Sequence, residues 1–284
     1  MVSEPATSIR HLEATARWTA AVRAAERARA DRLFDDPWAE ALAGPEGRSW
    51  IDQRAPDSVV PIVLRTRYFD DWLGRIGELD SIRQVVLLAA GLDTRSCRLD
   101  WPSGTRVFEL DRPAVLRYKE EILAAAGASP RCSRTAVEAD LTGAWAGALV
   151  EAGFDPSRPS GWLLEGLLFY LPGSAIARVL DAVTALSPAG SQIGFDIVNS
   201  SMLTSPWTRS WVEMQADAGA PWIGTMDDPV RFLAERGWRA ALTQAGQPDA
   251  NHGRWTLPVI PTTMPEMPHN WYVTGHRIAA VDSI

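Results

Sequence analysis

The most constraining feature of this chain is the stretch 84–90, QVVLLAA, a short unbroken apolar run that stops at Gly91. Such a run suits a strand covered on both faces, and strands of that kind belong to parallel sheets wrapped by helices. The following segments keep the pattern. TRVFELD (105–111) reads as a second strand, and RPAVLRYKEEILAAAG as a helix that ends at Gly127. TAVEADL is a weaker third strand, GWLLEGLLFYL (161–171) a fourth, GSAIARVLDAVTAL the helix behind it and SQIGFDIVN (191–199) a fifth. Strands alternating with helices at this spacing predict an α/β fold: a mostly parallel sheet with helices on both faces.

The flanks read differently. EATARWTAAVRAAERARADRLF is alanine-rich and free of Gly and Pro, so it predicts a long helix. DDPWAEALAG predicts another, with Asp36 as N-cap, Pro37 at the first helical position and Gly44 as the stop. VPIVLRTRYFDDWLGRI places Val60, Val63, Leu64, Tyr68, Trp72 and Leu73 on or near one helical face. After Asn199 the alternation breaks, and 200–225 reads as an inserted helical cap. DDPVRFLAERGW is the next crossover helix. Short strands near RAALTQ and WYVTGHRIA close the sheet, with the proline-rich LPVIPTTMPEMPH as a loop between them. The expected organisation is a helical segment over 1–80 packed on a core over 81–284, the core carrying the cap at about 200–225.

Composition narrows the function classes. Apolar residues make up 46% and charged residues 22%, the profile of a soluble globular protein, and no apolar run is long enough for a membrane span. The N-terminus lacks the basic and apolar regions of a secretory signal, so a cytoplasmic location is expected. A net charge of -7 argues against a nucleic-acid partner. Cys97 and Cys132 form no metal-type pair and read as small buried apolar side chains. The four histidines, His11, His252, His269 and His276, are scattered, so no metal site is expected. Oligomeric state leaves no mark in the sequence.

In an open parallel sheet, ligands bind beyond the carboxyl ends of the strands, where the winding reverses. Four features fall there. In AAGLDTR (89–95), Gly91 lets a ligand approach the backbone, and Asp93 and Thr94 open the next turn. The turn lacks G-x-G-x-x-G, so it offers no dinucleotide cradle. In FELDRP, Asp111 ends the second strand, where a carboxylate accepts hydrogen bonds from ribose hydroxyls, and Glu109 is a second candidate. In EADLTG, Asp140 and Leu141 suit an adenine amine and ring. Glu165, inside WLLEGLLFYLP, is an acid in an apolar run and must be paired with an arginine or stand at a ligand. A sulfonium or α-ammonium would favour its charged form. Arg65 and Arg67, in VLRTRYF, are either carboxylate binders or salt-bridged arginines.

Together, VPIVLRTRYFDDWL, VVLLAAGLDTR, FELDRPAVLRYK, DL and LLEGLLFYLP resemble the leucine carboxyl methyltransferase family, especially its bacterial branch of S-adenosylmethionine-dependent methyltransferases. RADRLFDDPWAEAL is also similar to the start of that branch. The resemblance spans roughly residues 15–200. It implies a class I methyltransferase (Rossmann-like) fold with seven strands and S-adenosyl-L-methionine at the strand ends. By matching motif, Arg65 would hold the methionine carboxylate and Gly91 would pack under the cofactor. Asp111 would bind the ribose, Asp140 and Leu141 the adenine, and Glu165 the methionine side. Ala89 stands where many relatives have the first glycine of a G-x-G turn.

Methyl transfer from a sulfonium needs alignment and exclusion of water more than acid–base chemistry. A carboxylate is already ionised at neutral pH, whereas a phenol would benefit from a base. With no histidine pair to serve, an acceptor carboxylate or a readily ionised phenol is expected, and the activity is O-methylation. The acceptor site is expected between the N-terminal helices and the cap, with Trp207, Trp211 and Trp222 as a lid. Tyr68 and Tyr170 would point hydroxyls inward, and Arg67 or Arg209 would orient the carboxylate. This favours a small, flat or apolar acceptor of secondary metabolism. The alternatives are a carboxylate at the end of a peptide or protein, and a protein that binds S-adenosylmethionine without catalysis. A dehydrogenase would need the glycine fingerprint and a catalytic pair, yet the one lysine, Lys119, lies in a helical YK pair after the second strand.

Overall fold

A computed structural model describes residues 6–53 and 59–279, with side chains from residue 15 onward. The side chain of His11, the extreme N-terminus and parts of the 1–80 segment therefore lie outside the described residues. Three helices come first: α1 (Ala6–Arg27), α2 (Ala39–Asp52) and α3 (Val60–Gly77). Val63, Leu64, Tyr68, Trp72 and Leu73 of α3 are buried as the periodicity predicts. The start of α2 departs from the sequence reading. Its first residue is Ala39, and Asp36 is fully buried, accepting from Arg23 Nε (2.8 Å) and Thr94 Oγ1 (2.7 Å). At Gly44 the backbone leaves the helical region (φ 61°), so the first helical stretch stops there as expected, and a second resumes at once from Pro45 within the range of α2. The distant arginine and threonine share Oδ2, while Oδ1 accepts from the Trp38 N–H (3.3 Å) just ahead of the helix.

Among the described residues, seven strands follow: β1 (Gln84–Leu88), β2 (Arg106–Asp111), β3 (Ser133–Glu138), β4 (Gly161–Leu164), β5 (Gln192–Val198), β6 (Trp238–Thr243) and β7 (Asn270–Arg277). They form one sheet in the order β3-β2-β1-β4-β5-β7-β6. The pairs among β1 to β5 are parallel, and β7 runs antiparallel to both β5 and β6. This is the mostly parallel α/β sheet expected. Every residue of β1 is buried, which is why its sequence shows no alternation. The winding reverses between β1 and β4, so the crevice beyond their carboxyl ends is the default ligand position.

The fourth strand is shorter than its apolar run. It ends at Leu164, and Gly166 turns the backbone with φ 68° while its N–H donates to Asp196 Oδ1 (2.6 Å). Leu168–Tyr170 then form a single 3-10 turn before α7 (Gly173–Ala185). Apolarity over 161–171 therefore reports burial, not strand length, and Glu165 stands just past the strand end. The crossover helices α5 (Pro113–Ala125), α6 (Trp145–Glu151) and α10 (Pro229–Ala234) join α7 around the sheet, and α4 (Arg95–Arg98) is a single turn after β1. Asp228 caps α10 by accepting from Arg231 N (2.9 Å). The 200–225 insertion holds two short helices, α8 (Ser200–Thr204) and α9 (Arg209–Asp217). Among the described residues, no helix is long and apolar enough to cross a membrane.

Candidate active site

The crevice begins at the turn after β1. Ala89 and Gly91 both adopt left-handed backbone (φ 55° and 49°). That conformation costs a β-carbon about 1 kcal/mol, so Ala89 occupies a position that favours glycine. The turn is held from β2: the Gly91 N–H donates to Asp111 Oδ2 (2.7 Å), and Arg112 N–H donates to Oδ1 (2.7 Å). Burial pushes the Asp111 carboxyl above its ordinary value, against the pull of those two N–H groups. Asp140, beyond β3, is exposed and accepts from Thr142 N–H and Oγ1 with Oδ1, and Leu141 beside it is half-buried.

Between β1, β4 and β5 lies a network of ion pairs. Arg65 of α3 donates from Nε to Glu165 Oε1 and from Nη1 to Asp196 Oδ2, both at 2.9 Å. Arg95 pairs with Glu165 Oε2 (2.7 Å), with Asp93 and with Asp70 (Nε–Oδ1 2.7 Å). Arg98 grips the Asp70 carboxylate with two bonds of 2.6 Å. Burial opposes the Asp93 charge, yet Arg95, Lys119 and Arg98 together bring that carboxyl down to about 2. Burial pushes Asp196 up, with Arg65 opposing. Thus Arg65 and Glu165, a hundred residues apart in sequence, meet at the switch point.

Four other candidates are placed elsewhere. Thr94 is buried, its hydroxyl donating to Asp36, so it ties the turn to the N-terminal segment. Glu109 is wholly enclosed by Lys119 Nζ (2.7 Å), Arg134 Nη2 (2.7 Å) and Ser96 Oγ (2.6 Å). Arg67 faces away from Arg65, donating to both oxygens of Asp71 (2.9 Å) and to the Leu33 carbonyl (2.5 Å). On a helix, two residues of separation turn a side group to the opposite face. Tyr68 is packed between Phe69 and Tyr272 (ring centroids 5.3 and 5.1 Å).

The cap covers the β4 side. Ile223 and Gly224 N–H groups donate to the Phe169 carbonyl (2.8 and 3.0 Å), pinning the segment after α9 to the 3-10 turn. Trp222 tilts on Phe169 (4.7 Å), and Trp211 meets Trp222 edge-on (6.2 Å). Trp207 is 73% exposed and outside this wall, and Arg209 is exposed at the start of α9. Tyr170 lies between Trp222 of the cap and Thr15 of α1, and its phenol is raised by burial, with Arg65 and Asp196 in electrostatic range. From the other side α1 reaches over the turn. A β-carbon placed on Gly91 would meet the Ala16 methyl first (3.7 Å), and Arg23 donates to the Leu92 carbonyl (2.6 Å).

Sequence reasoning missed Arg95 and Asp196. Asp196 carried the signal that exposed Glu165, since it interrupts an apolar strand where a charge demands a partner, whereas Arg95 lies in the polar stretch DTRSCRLD and is marked only by closing AAGLDTR.

Comparison with known proteins gives a consistent picture. Residues 16–184, from α1 through nearly all of α7, match the model of the family described as "Leucine carboxyl methyltransferase". A "Putative S-adenosyl-L-methionine-dependent methyltransferase" of Saccharopolyspora erythraea is 42% identical over 249 residues, covering 82% of this chain and 85% of that one. A protein of the same description from Mycolicibacterium gilvum is 43% identical over 251 residues, covering 81% and 83%. Among solved structures, a methyltransferase-described protein of Thermobifida fusca superposes with a TM-score of 0.58 at 18% identity, covering 93% of this chain and 94% of that one, a likeness of fold. With the motif turn, the strand-end carboxylates and the sheet order in place, the chain belongs to the leucine carboxyl methyltransferase family.

Proposed function

We propose that this protein is an S-adenosyl-L-methionine-dependent methyltransferase that esterifies the carboxylate of a small acceptor, with a readily ionised phenol as the second oxygen nucleophile of the same reading. One observation carries it: at the switch point, the guanidiniums of Arg65, Arg95 and Arg98 face four carboxylates, those of Asp70, Asp93, Glu165 and Asp196. Excess negative charge out of water is costly unless a cation joins it. A nucleoside carrying a sulfonium and an α-ammonium suits that imbalance.

When bound, S-adenosyl-L-methionine supplies an already activated methyl group, so the protein's tasks are alignment and exclusion of water. Arg65 has Nη2 left beside Gly166 for the α-carboxylate, its other nitrogens being engaged. Glu165 and Asp196 balance the positive end. Asp111 has lone pairs left for ribose hydroxyls after its two backbone bonds. Asp140 offers Oδ2, and Leu141 an apolar edge, to the adenine. Helix α1 and the cap, meeting at Tyr170, keep water out.

An oxygen acceptor that arrives ionised fits this site. The Tyr170 phenol, raised by burial, stays protonated at neutral pH and orients rather than removes a proton. A carboxylate has no proton to lose at that pH.

The experiment is to incubate the protein with methyl-labelled S-adenosylmethionine and either a bacterial metabolite extract or a pool of peptides, then treat the products with base. Base-labile label in the small-molecule fraction supports the reading. Base-stable label moves the acceptor to a hydroxyl that forms an ether, and label on peptides moves it to a terminal peptide carboxylate. Failure of S-adenosylhomocysteine to bind at all overturns it.

A further inference from the structure

The cap contains a polar atom that the fold itself leaves unserved. Gln215 of α9 is only 7% exposed, and its Oε1 has no hydrogen-bond partner. A buried amide oxygen left this way costs about 1–3 kcal/mol. Gln215 follows Trp211 by four residues, so both side groups leave α9 on one face. That face is the one turned to Trp222, since Trp211 meets Trp222 edge-on at 6.2 Å. Trp222 in turn tilts on Phe169 at 4.7 Å, and Phe169 and Tyr170 continue the wall to the strand ends, where Tyr170 feels Arg65 and Asp196. An aromatic wall with one buried hydrogen-bond acceptor thus runs from the cap to the charged crevice.

We propose that this wall is the acceptor site, and that it selects a planar aromatic carboxylic acid whose ring system carries an N–H or O–H, with Gln215 Oε1 accepting that hydrogen. The inference rests on the reading of the preceding subsection and names its substrate class. Aromatic faces at these separations favour a flat ring over a puckered aliphatic one. The donor on the ring satisfies Gln215, and the carboxylate is directed toward the methyl donor. In the transfer, a carboxylate oxygen forms the new bond to the methyl carbon as the carbon–sulfur bond breaks. The electron pair stays on sulfur, and the products are a methyl ester and the uncharged thioether, with no proton exchanged.

The test uses the full-length protein saturated with S-adenosylhomocysteine and three probes: indole-3-carboxylate, 1-methylindole-3-carboxylate and cyclohexanecarboxylate. Binding is followed by calorimetry on the wild type and on Gln215→Leu. The wild type is expected to prefer indole-3-carboxylate over its N-methyl form by about 10-fold, the worth of one hydrogen bond to a buried oxygen, and to bind the aliphatic acid most weakly. Gln215→Leu should lose the preference between the two indoles while keeping its affinity for S-adenosylhomocysteine. Equal binding of the two indoles by the wild type overturns the role of Gln215. So does a Gln215→Leu protein with unchanged discrimination between the two indoles, which would separate the oxygen from the acceptor site. Binding of none of the probes overturns the substrate class, while retained S-adenosylhomocysteine binding leaves the methyltransferase reading standing.

Discussion

Two buried ion clusters, one around Glu109 of β2 and one at the ends of β1, β4 and β5, are built to opposite ends. Glu109 is held by Lys119 and Arg134, and Arg134 also reaches Glu120 (2.6 Å). Two cations meet two carboxylates, and Glu109 and Lys119 are 0% exposed. At the strand ends, three guanidiniums meet four carboxylates, and Arg65 and Glu165 keep 12% and 14% of their side-chain surface open. The first cluster is balanced in charge and sealed around Glu109 and Lys119, so it serves the fold. The second is neither, so it has something left to bind. Buried charge alone does not mark a functional site; buried charge that is incompletely balanced and partly reachable does.

Substitutions test this contrast. Lys119→Met strands the Glu109 carboxylate with fewer partners and should cost about 3–5 kcal/mol by urea denaturation. A cost under about 1 kcal/mol would mean that the closed cluster is not structural. Next, Asp93 links the open cluster to acid stability. Its folded-state value of about 2 lies below that of the unfolded protein. Its stabilisation is therefore complete above about pH 5 and is lost as pH falls toward 2, on the order of 2 kcal/mol. The urea midpoint of Asp93→Asn should fall less steeply than that of the wild type over that window; parallel curves would refute the assignment.

Glu165→Gln sharpens the comparison from the binding side. Removing one carboxylate should weaken S-adenosylmethionine about 10-fold by calorimetry, and S-adenosylhomocysteine less, because the latter lacks the sulfonium charge. Equal losses for both would mean that Glu165 senses the ammonium or the fold rather than sulfur. The smallest effect is expected at the rim of the closed cluster. Glu120 is half-exposed, and Glu120→Gln should change stability by at most about 1 kcal/mol.

How far the sequence could be read depended on where each partner lay. The glycine turn, Asp111 and Glu165 were legible because each sits at a strand end that the apolar pattern locates. Asp196 carried the same signal as Glu165, a charge within an apolar run, and was legible in principle, while Arg95 stands among polar neighbours and was not. Asp36, Thr94 and Glu109 were not. Their partners are 58 residues apart in one case and lie on a different strand and helix in the other, and nothing in a local window announces them. The three tryptophans expected as a lid divide in the same way: Trp211 and Trp222 join a wall, while Trp207 points to solvent.

The amino-acid order by itself determined the layered α/β architecture, the strand ends and the resemblance to one family, because hydrophobic period and strand-end motifs are local quantities. Which charges pair, which face of α3 meets the crevice, where the fourth strand stops and which oxygen of the cap goes unserved were decided only by the tertiary structure. Those outcomes depend on distances between residues a hundred positions apart, and on burial, which no window of sequence contains.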